Sequence, residues 1–211
     1  KLEKRRMEKM EAMTEAEERK REYEANFVTF GKKLQESLLD GSSSEAMIGA
    51  DGSVESTNAE SQLLITNVIQ TFTASGPQGG NWSETLQLIK KLSPSDKTED
   101  ILLIEARCHE MEGNHKQALS AAGKLIAKAA NHDPWLNDSP RMMATTLGSN
   151  AAMQLGLSEN ALSFYQNVLK FDPEQERARK QYRGLKKVVK LLDKAEEQIK
   201  KGYNNAASEF V

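Results

Sequence analysis

Three stretches of this chain are versions of one heptapeptide: GNWSETL at 80–86, GNHKQAL at 113–119 and GLSENAL at 156–162. A shorter version, GYNNA at 202–206, follows them. The leading glycines stand 33, 43 and 46 residues apart, a period of about 34 with insertions. Self-similarity at this spacing marks stacked units, none of which buries its apolar face alone. It constrains the fold more than any other feature, because so short a unit holds two helices, a turn and little else.

The unit around Gly156 is the clearest. Residues 142–155 read as a first helix, and Gly156 supplies a left-handed turn that a side chain would strain. A second helix starts near Ser158, presents Ala161, Phe164/Tyr165 and Val168 on one face, and stops before Asp172-Pro173. Small Ala152 and Ala161 let the two helices approach, with Tyr165 beside them. Asp138-Ser139-Pro140 offers a cap followed by Pro in the first turn. Asp172-Pro173-Glu174-Gln175 offers the same, with Gln175 as the third residue of a capping box. No run alternates as a strand would.

These units resemble the tetratricopeptide repeat (TPR). The matching positions are the turn glycine at Gly113 and Gly156, the small residue after it at Ala118, Ala161 and Ala206, the aromatic at Tyr165 and Phe210, and the closing proline at Pro173. The family's early Trp and its Leu-Gly pair are missing, Gly148-Ser149 standing in place of the pair, and Thr85 replaces the alanine in the unit around Gly80. The resemblance implies an all-α, right-handed solenoid of helical hairpins over residues 59–211. A long helix then runs from Glu174 to Lys201, with Ala178, Tyr182, Leu185, Val189 and Leu192 along its seam. Asp172-Pro173, Tyr182, Lys186-Lys187, Ala195-Glu196-Glu197, Ile199 and Gly202-Tyr203 resemble the TPR co-chaperones that carry a C-terminal J domain, in their endoplasmic-reticulum lumenal branch. That implies a module that binds non-native client polypeptides and assists folding with a heat-shock chaperone through a J domain beyond Val211. A general TPR scaffold that assembles a multiprotein complex is the alternative. The lumen is the implied compartment and the cytoplasm the alternative. The sequons Asn81-Trp82-Ser83 and Asn137-Asp138-Ser139 are compatible with a lumenal chain. The chain opens at Lys1 and stops at Val211 in mid-pattern, and reads as part of a longer protein.

Residues 1–40 read as a charged helical arm, with Glu15 and Arg19, and Glu17 and Arg21, paired four apart. The arm reads as solvated. Its end, with Phe27, Val28, Phe30, Leu34, Leu38 and Leu39, is stickier and suited to dock on the following domain or on a partner. Residues 41–58 (GSSSEAMIGADGSVESTN) read as a flexible linker.

No phosphate loop, dinucleotide fingerprint, zinc-protease motif or nucleophile elbow occurs, so neither an enzyme nor a cofactor is expected. Gly76-Pro-Gln-Gly-Gly80 reads as a turn, because Trp82-Ser83 follows where a phosphate loop needs Lys. Cys108, His109 and His115 lack a carboxylate partner and the spacing of a metal site. His132-Asp133-Pro134 has the letters of the J-domain signature in the wrong order. A net charge of −2 argues against a global pull on nucleic acid. The basic run from Arg177 to Lys190 shares its helix with the apolar seam, as any amphipathic helix does. No stretch of about 18 apolar residues spans a membrane.

A TPR stack lines its concave groove with the first helix of each hairpin. By alignment those positions are Leu103, Arg107, Glu110 and Met111 in one unit, and Met143, Thr146, Asn150 and Met153 in the next. The family's carboxylate clamp is not assembled: Asn150 takes its Asn position, but Thr146 stands where a Lys belongs. The Met and Leu side chains suit pliable apolar recognition, or else pack between repeats.

Overall fold

The computed structural model describes residues 2–39, 56–74, 81–128 and 139–208. Among the described residues there are eight helices and no strand. They are α1 (Leu2–Leu39), α2 (Ser56–Ala74), α3 (Trp82–Lys91), α4 (Glu99–Met111), α5 (His115–Lys128), α6 (Pro140–Gln154), α7 (Ser158–Phe171) and α8 (Glu176–Ser208). Each helix packs on the next one in the chain. Beyond that, α2 meets α4, α4 meets α6, and α1 meets α6.

Two turns of identical construction make α4–α5 and α6–α7 into hairpins. Gly113 and Gly156 both sit at φ +74°. Gly113 N–H donates to the Glu110 carbonyl at 3.0 Å and Asn114 N–H to the His109 carbonyl at 2.8 Å. Gly156 N–H donates to Met153 at 3.0 Å and Leu157 N–H to Ala152 at 2.8 Å. This pair of bonds is a Schellman C-cap, which satisfies the last carbonyls and reverses the chain. The helices then close on small residues. Ala106 and Ala118 are fully buried in the first hairpin, and in the second the Ser149 hydroxyl donates to the Ala161 carbonyl at 3.0 Å. Gly148 is the tightest point: a Cβ there would lie 2.7 Å from the Phe164 ring and 3.3 Å from Ala122. The glycine that replaces the usual leucine thus lets α6 pass between α5 and α7.

Caps fix the starts. Thr98 Oγ1 accepts the Ile101 N–H at 3.3 Å. Ser139 Oγ accepts the Met142 N–H at 3.2 Å, with Pro140 in the first turn, as the sequence predicts. The cap expected at Asp172 lies elsewhere. Asp172 Oδ1 accepts the Glu174 N–H at 3.1 Å within a turn, and Gln175 Oε1 accepts the Ala178 N–H at 2.6 Å. Gln175 is therefore the capping residue itself, and α8 begins one residue later.

The fourth turn, expected at Gly202, does not form. Gly202 and Ala206 lie inside α8, and Gly202 has no positive φ. Lys200 and Lys201 precede it, and a glycine inside a helix costs only about 1 kcal/mol. Likewise α2 begins at Ser56, inside the segment read as linker. The rest of that linker, Gly76–Gly80, His132-Asp133-Pro134, Asn137-Asp138 and Phe210 lie outside the described residues.

One large apolar cluster runs from α1 to α6. A smaller one joins Met142 of α6, Tyr165 and Val168 of α7, and Ala178 of α8. The α8 seam is covered as far as Val189 and bare from Leu191 onward.

Candidate protein-binding face

α1 lies against α2, α4, α6 and α8, and the surface it covers on them is the candidate face. Along α1 the contacts follow in order. Arg19 reaches α8, where its Nη1 stands 2.9 Å from the point a Cβ on Gly184 would occupy. Glu22 pairs with Arg177 of α8 at 3.6 Å. The Tyr23 hydroxyl donates to Glu110 Oε2 of α4 at 2.6 Å, and Glu24 pairs with Arg107 of α4 at 2.5 Å. Phe30 meets Phe72 of α2 edge-on, ring centroids 6.4 Å apart. The arm therefore runs against the order of the hairpins, from α8 toward α2.

Four side chains anchor it. Tyr23, Phe27, Phe30 and Leu34 are all buried and spaced 4, 3 and 4 residues apart, which is one helical stripe. Phe27, Phe30 and Leu34 belong to the end of the arm expected to dock on the following domain, and they do so; Tyr23 extends the buried stripe one turn into the part read as solvated. Val28 stays exposed, as do Met7, Met10 and Met13 nearer the start. The side chains of Leu38 and Leu39 lie outside the described residues.

Arg107 is the electrostatic centre of the face. It is only 3% exposed, and a buried guanidinium needs partners for its charge and its N–H groups. It has Glu24 on one nitrogen and Glu110 on another, the latter at 2.6 Å. Its carbon lies 5.1 Å from the Tyr23 ring centroid and 4.5 Å from that of Phe27, within cation–π range. Burial pulls its pKa down, but Tyr23, Glu110 and Glu24 outweigh that and hold the cation firmly charged. Burial, then the Glu110 carboxylate, pushes the Tyr23 phenol well above its usual range, so it remains a donor.

The sequence-predicted groove residues divide. Met111 is 39% exposed and Asn150 is exposed, while Met153 and Glu110 are partly so. Leu103, Met143 and Thr146 are buried, contrary to the expected groove positions. Leu103 and Met143 belong to the large core cluster that joins α4 and α6, so they pack between hairpins. Thr146 Oγ1 donates back to the Met142 carbonyl at 3.2 Å. Arg107 is turned toward α1, which covers it. Sequence reasoning did not pair Tyr23 and Glu24 with this face. Their only signal is their position beside the aromatic end of the arm.

The remaining candidates fall elsewhere. Cys108 is fully buried, and burial pushes its thiol up to about 12. Among the described residues no three His, Cys, Asp or Glu side chains cluster as metal ligands. In the basic run Arg179 pairs with Glu174 and bonds the Pro173 carbonyl, while Arg183, Lys187 and Lys190 are exposed. No described helix is long and apolar enough to cross a membrane. No protein-family model, curated protein or solved structure matches this chain.

Proposed function

We propose that this chain is the TPR-type, polypeptide-binding part of a J-domain co-chaperone. Its hairpins stack into a solenoid whose inner wall holds non-native clients for a heat-shock chaperone, with the J domain supplied outside residues 1–211. The observation that carries the reading is that a further stretch of polypeptide, α1, lies against α2, α4, α6 and α8. The matched Schellman turns at Gly113 and Gly156, and the small residues where paired helices meet, support the hairpin repeat. The lumen of the endoplasmic reticulum is the compartment this reading implies, with the cytoplasm as alternative. No catalytic step, cofactor, metal or nucleic acid has a part in it.

The test is suppression of aggregation of a chemically denatured client, followed by light scattering. The chain should slow aggregation at stoichiometric amounts. Met111→Glu combined with Met153→Glu, both on surface-reaching side chains, should weaken that several-fold with helix content unchanged. A chain without any holding activity overturns the reading, and an unaltered double variant removes those methionines from it.

A second reading, a scaffold for folded partners, draws on one observation. The polypeptide on this face is a regular helix in a fixed register. Recovery of one stoichiometric folded partner, with no holding of denatured client, would decide for it.

A further inference from the structure

We infer that the face formed by the even-numbered helices recognises amphipathic helices, and that α1 is a tethered stand-in which a partner helix must displace. This deepens the proposed function and rests on it, because it assigns the chemistry of the client segment.

The stripe on α1 has the form of helix-in-groove recognition, where anchors at i, i+4, i+7 and i+11 enter an apolar trough. Tyr23, Phe27, Phe30 and Leu34 are those anchors. The carboxylate beside the first anchor, Glu24, meets the buried Arg107 and sets the register. A helix that lacked the carboxylate would leave Arg107 with Glu110 alone. The face therefore selects for aromatic or aliphatic anchors at 4-3-4 spacing with an acidic residue next to the first one.

Two features make α1 an imperfect occupant. Gly31 lies within the anchored stretch, between Phe30 and Leu34, and glycine is among the poorest helix formers. It also lines a cleft of about 140 Å³, walled by Phe27, Phe72, Thr73, Trp82 and Arg107. A Cβ at position 31 would meet only Thr73, at 3.9 Å, which is ordinary contact. A β-carbon there fits without displacing a neighbour, and the cleft that Gly31 lines offers room for a longer side chain to enter. A competing helix with Leu at that position thus makes more contact than α1 does. Covalent linkage gives α1 an effective concentration on the order of millimolar, which is how a weaker occupant keeps the face closed until a better one arrives.

The experiment uses the full chain and a fluorescent synthetic peptide of residues 17–36 carrying Gly31→Leu, read by anisotropy. The chain should bind the peptide weakly. Phe27→Asp, which frees the arm, should tighten binding at least tenfold. Gly31→Leu in the chain itself should raise the melting temperature and weaken peptide binding at least tenfold. Because the two variants act in opposite directions, a Phe27→Asp chain that fails to fold leaves Gly31→Leu to decide. Peptide binding unchanged by Gly31→Leu overturns the inference, as does a peptide that binds no form of the chain. If the chain forms concentration-dependent dimers that Gly31→Leu strengthens, the occupant is a second copy and the inference also falls. Where the Phe27→Asp chain holds denatured client but ignores the peptide, the proposed function stands without this inference. Peptide exchange without client holding reverses that outcome.

Discussion

Arg107 and Cys108 are neighbours in α4, and both are buried, yet burial has opposite outcomes for them. The guanidinium keeps its charge because Glu24, Glu110 and two aromatic rings surround it. For the thiol, burial outweighs the neighbouring Arg107 charge, and it stays neutral. Its ordinary value is 9.0, and in the folded chain burial pushes it up to about 12. Between those values the unfolded chain binds fewer protons than the folded one, so stability falls as pH rises. Denaturation should therefore give a plateau below about pH 8 and a decline above about pH 9, of at most ~1.4 kcal/mol per pH unit for this group. Tyr23 and Tyr165, both raised chiefly by burial, add to the decline from about pH 10. Cys108→Ala should flatten the first part of the slope. An unchanged slope would mean that the thiol is not its source. The burial of Arg107 was not legible in the sequence, since its charge suggests the surface unless the arm is known to lie over it.

At the scale of the element, glycine has two meanings in this chain, and the sequence alone treats them alike. Gly156 ends α6 at φ +74°, whereas Gly202 sits inside α8 without a positive φ. Open space surrounds the Cβ position at both, so only backbone conformation distinguishes them. Gly156→Ala should destabilise by about 1–2 kcal/mol, the cost of holding an L-residue left-handed. Gly202→Ala should be neutral or stabilising by up to about 1 kcal/mol, through helix propensity. Thermal denaturation followed by circular dichroism separates the two, and a Gly202→Ala chain that loses as much as Gly156→Ala would restore the turn at 202. The heptapeptide was a sound guide at Gly113 and Gly156 because a helix of complementary faces follows each. The shortened copy at 202 has the letters of the turn but lacks one residue of the heptapeptide, and the helix runs on through it. The cap at the start of α8 moved to Gln175 for a similar reason: Asp172 is engaged in a turn of its own.

For the molecule as a whole, burial is concentrated in α4 and α6, each packed against three or more helices, and thins out along α8. Hydrogen exchange should follow that gradient. Amides of residues 101–108 and 142–152 should be the slowest, and those of 191–202 among the fastest within helices. Slow exchange across 191–202 would mean that the bare end of the α8 seam is covered in solution. The arm should fall between these limits, with residues 23–34 slower than residues 7–18. Equal, fast exchange along the arm would remove it from the face.

What the sequence determined by itself is local: the helices, the hairpin turns at Gly113 and Gly156, the Ser139 cap and the apolar side of each helix. These rest on backbone conformation and on hydrogen bonds spanning three to five residues, so a short window holds all the information. Tertiary structure alone decided where the arm lies and which groove residues remain open. The bonds that seat it, Tyr23 to Glu110 and Arg107 to Glu24, join residues 87 and 83 positions apart. Each of their side chains reads as an ordinary charged or polar residue on its own helix. Only their meeting makes a buried cation with two carboxylates, and a face that the chain's own arm already occupies.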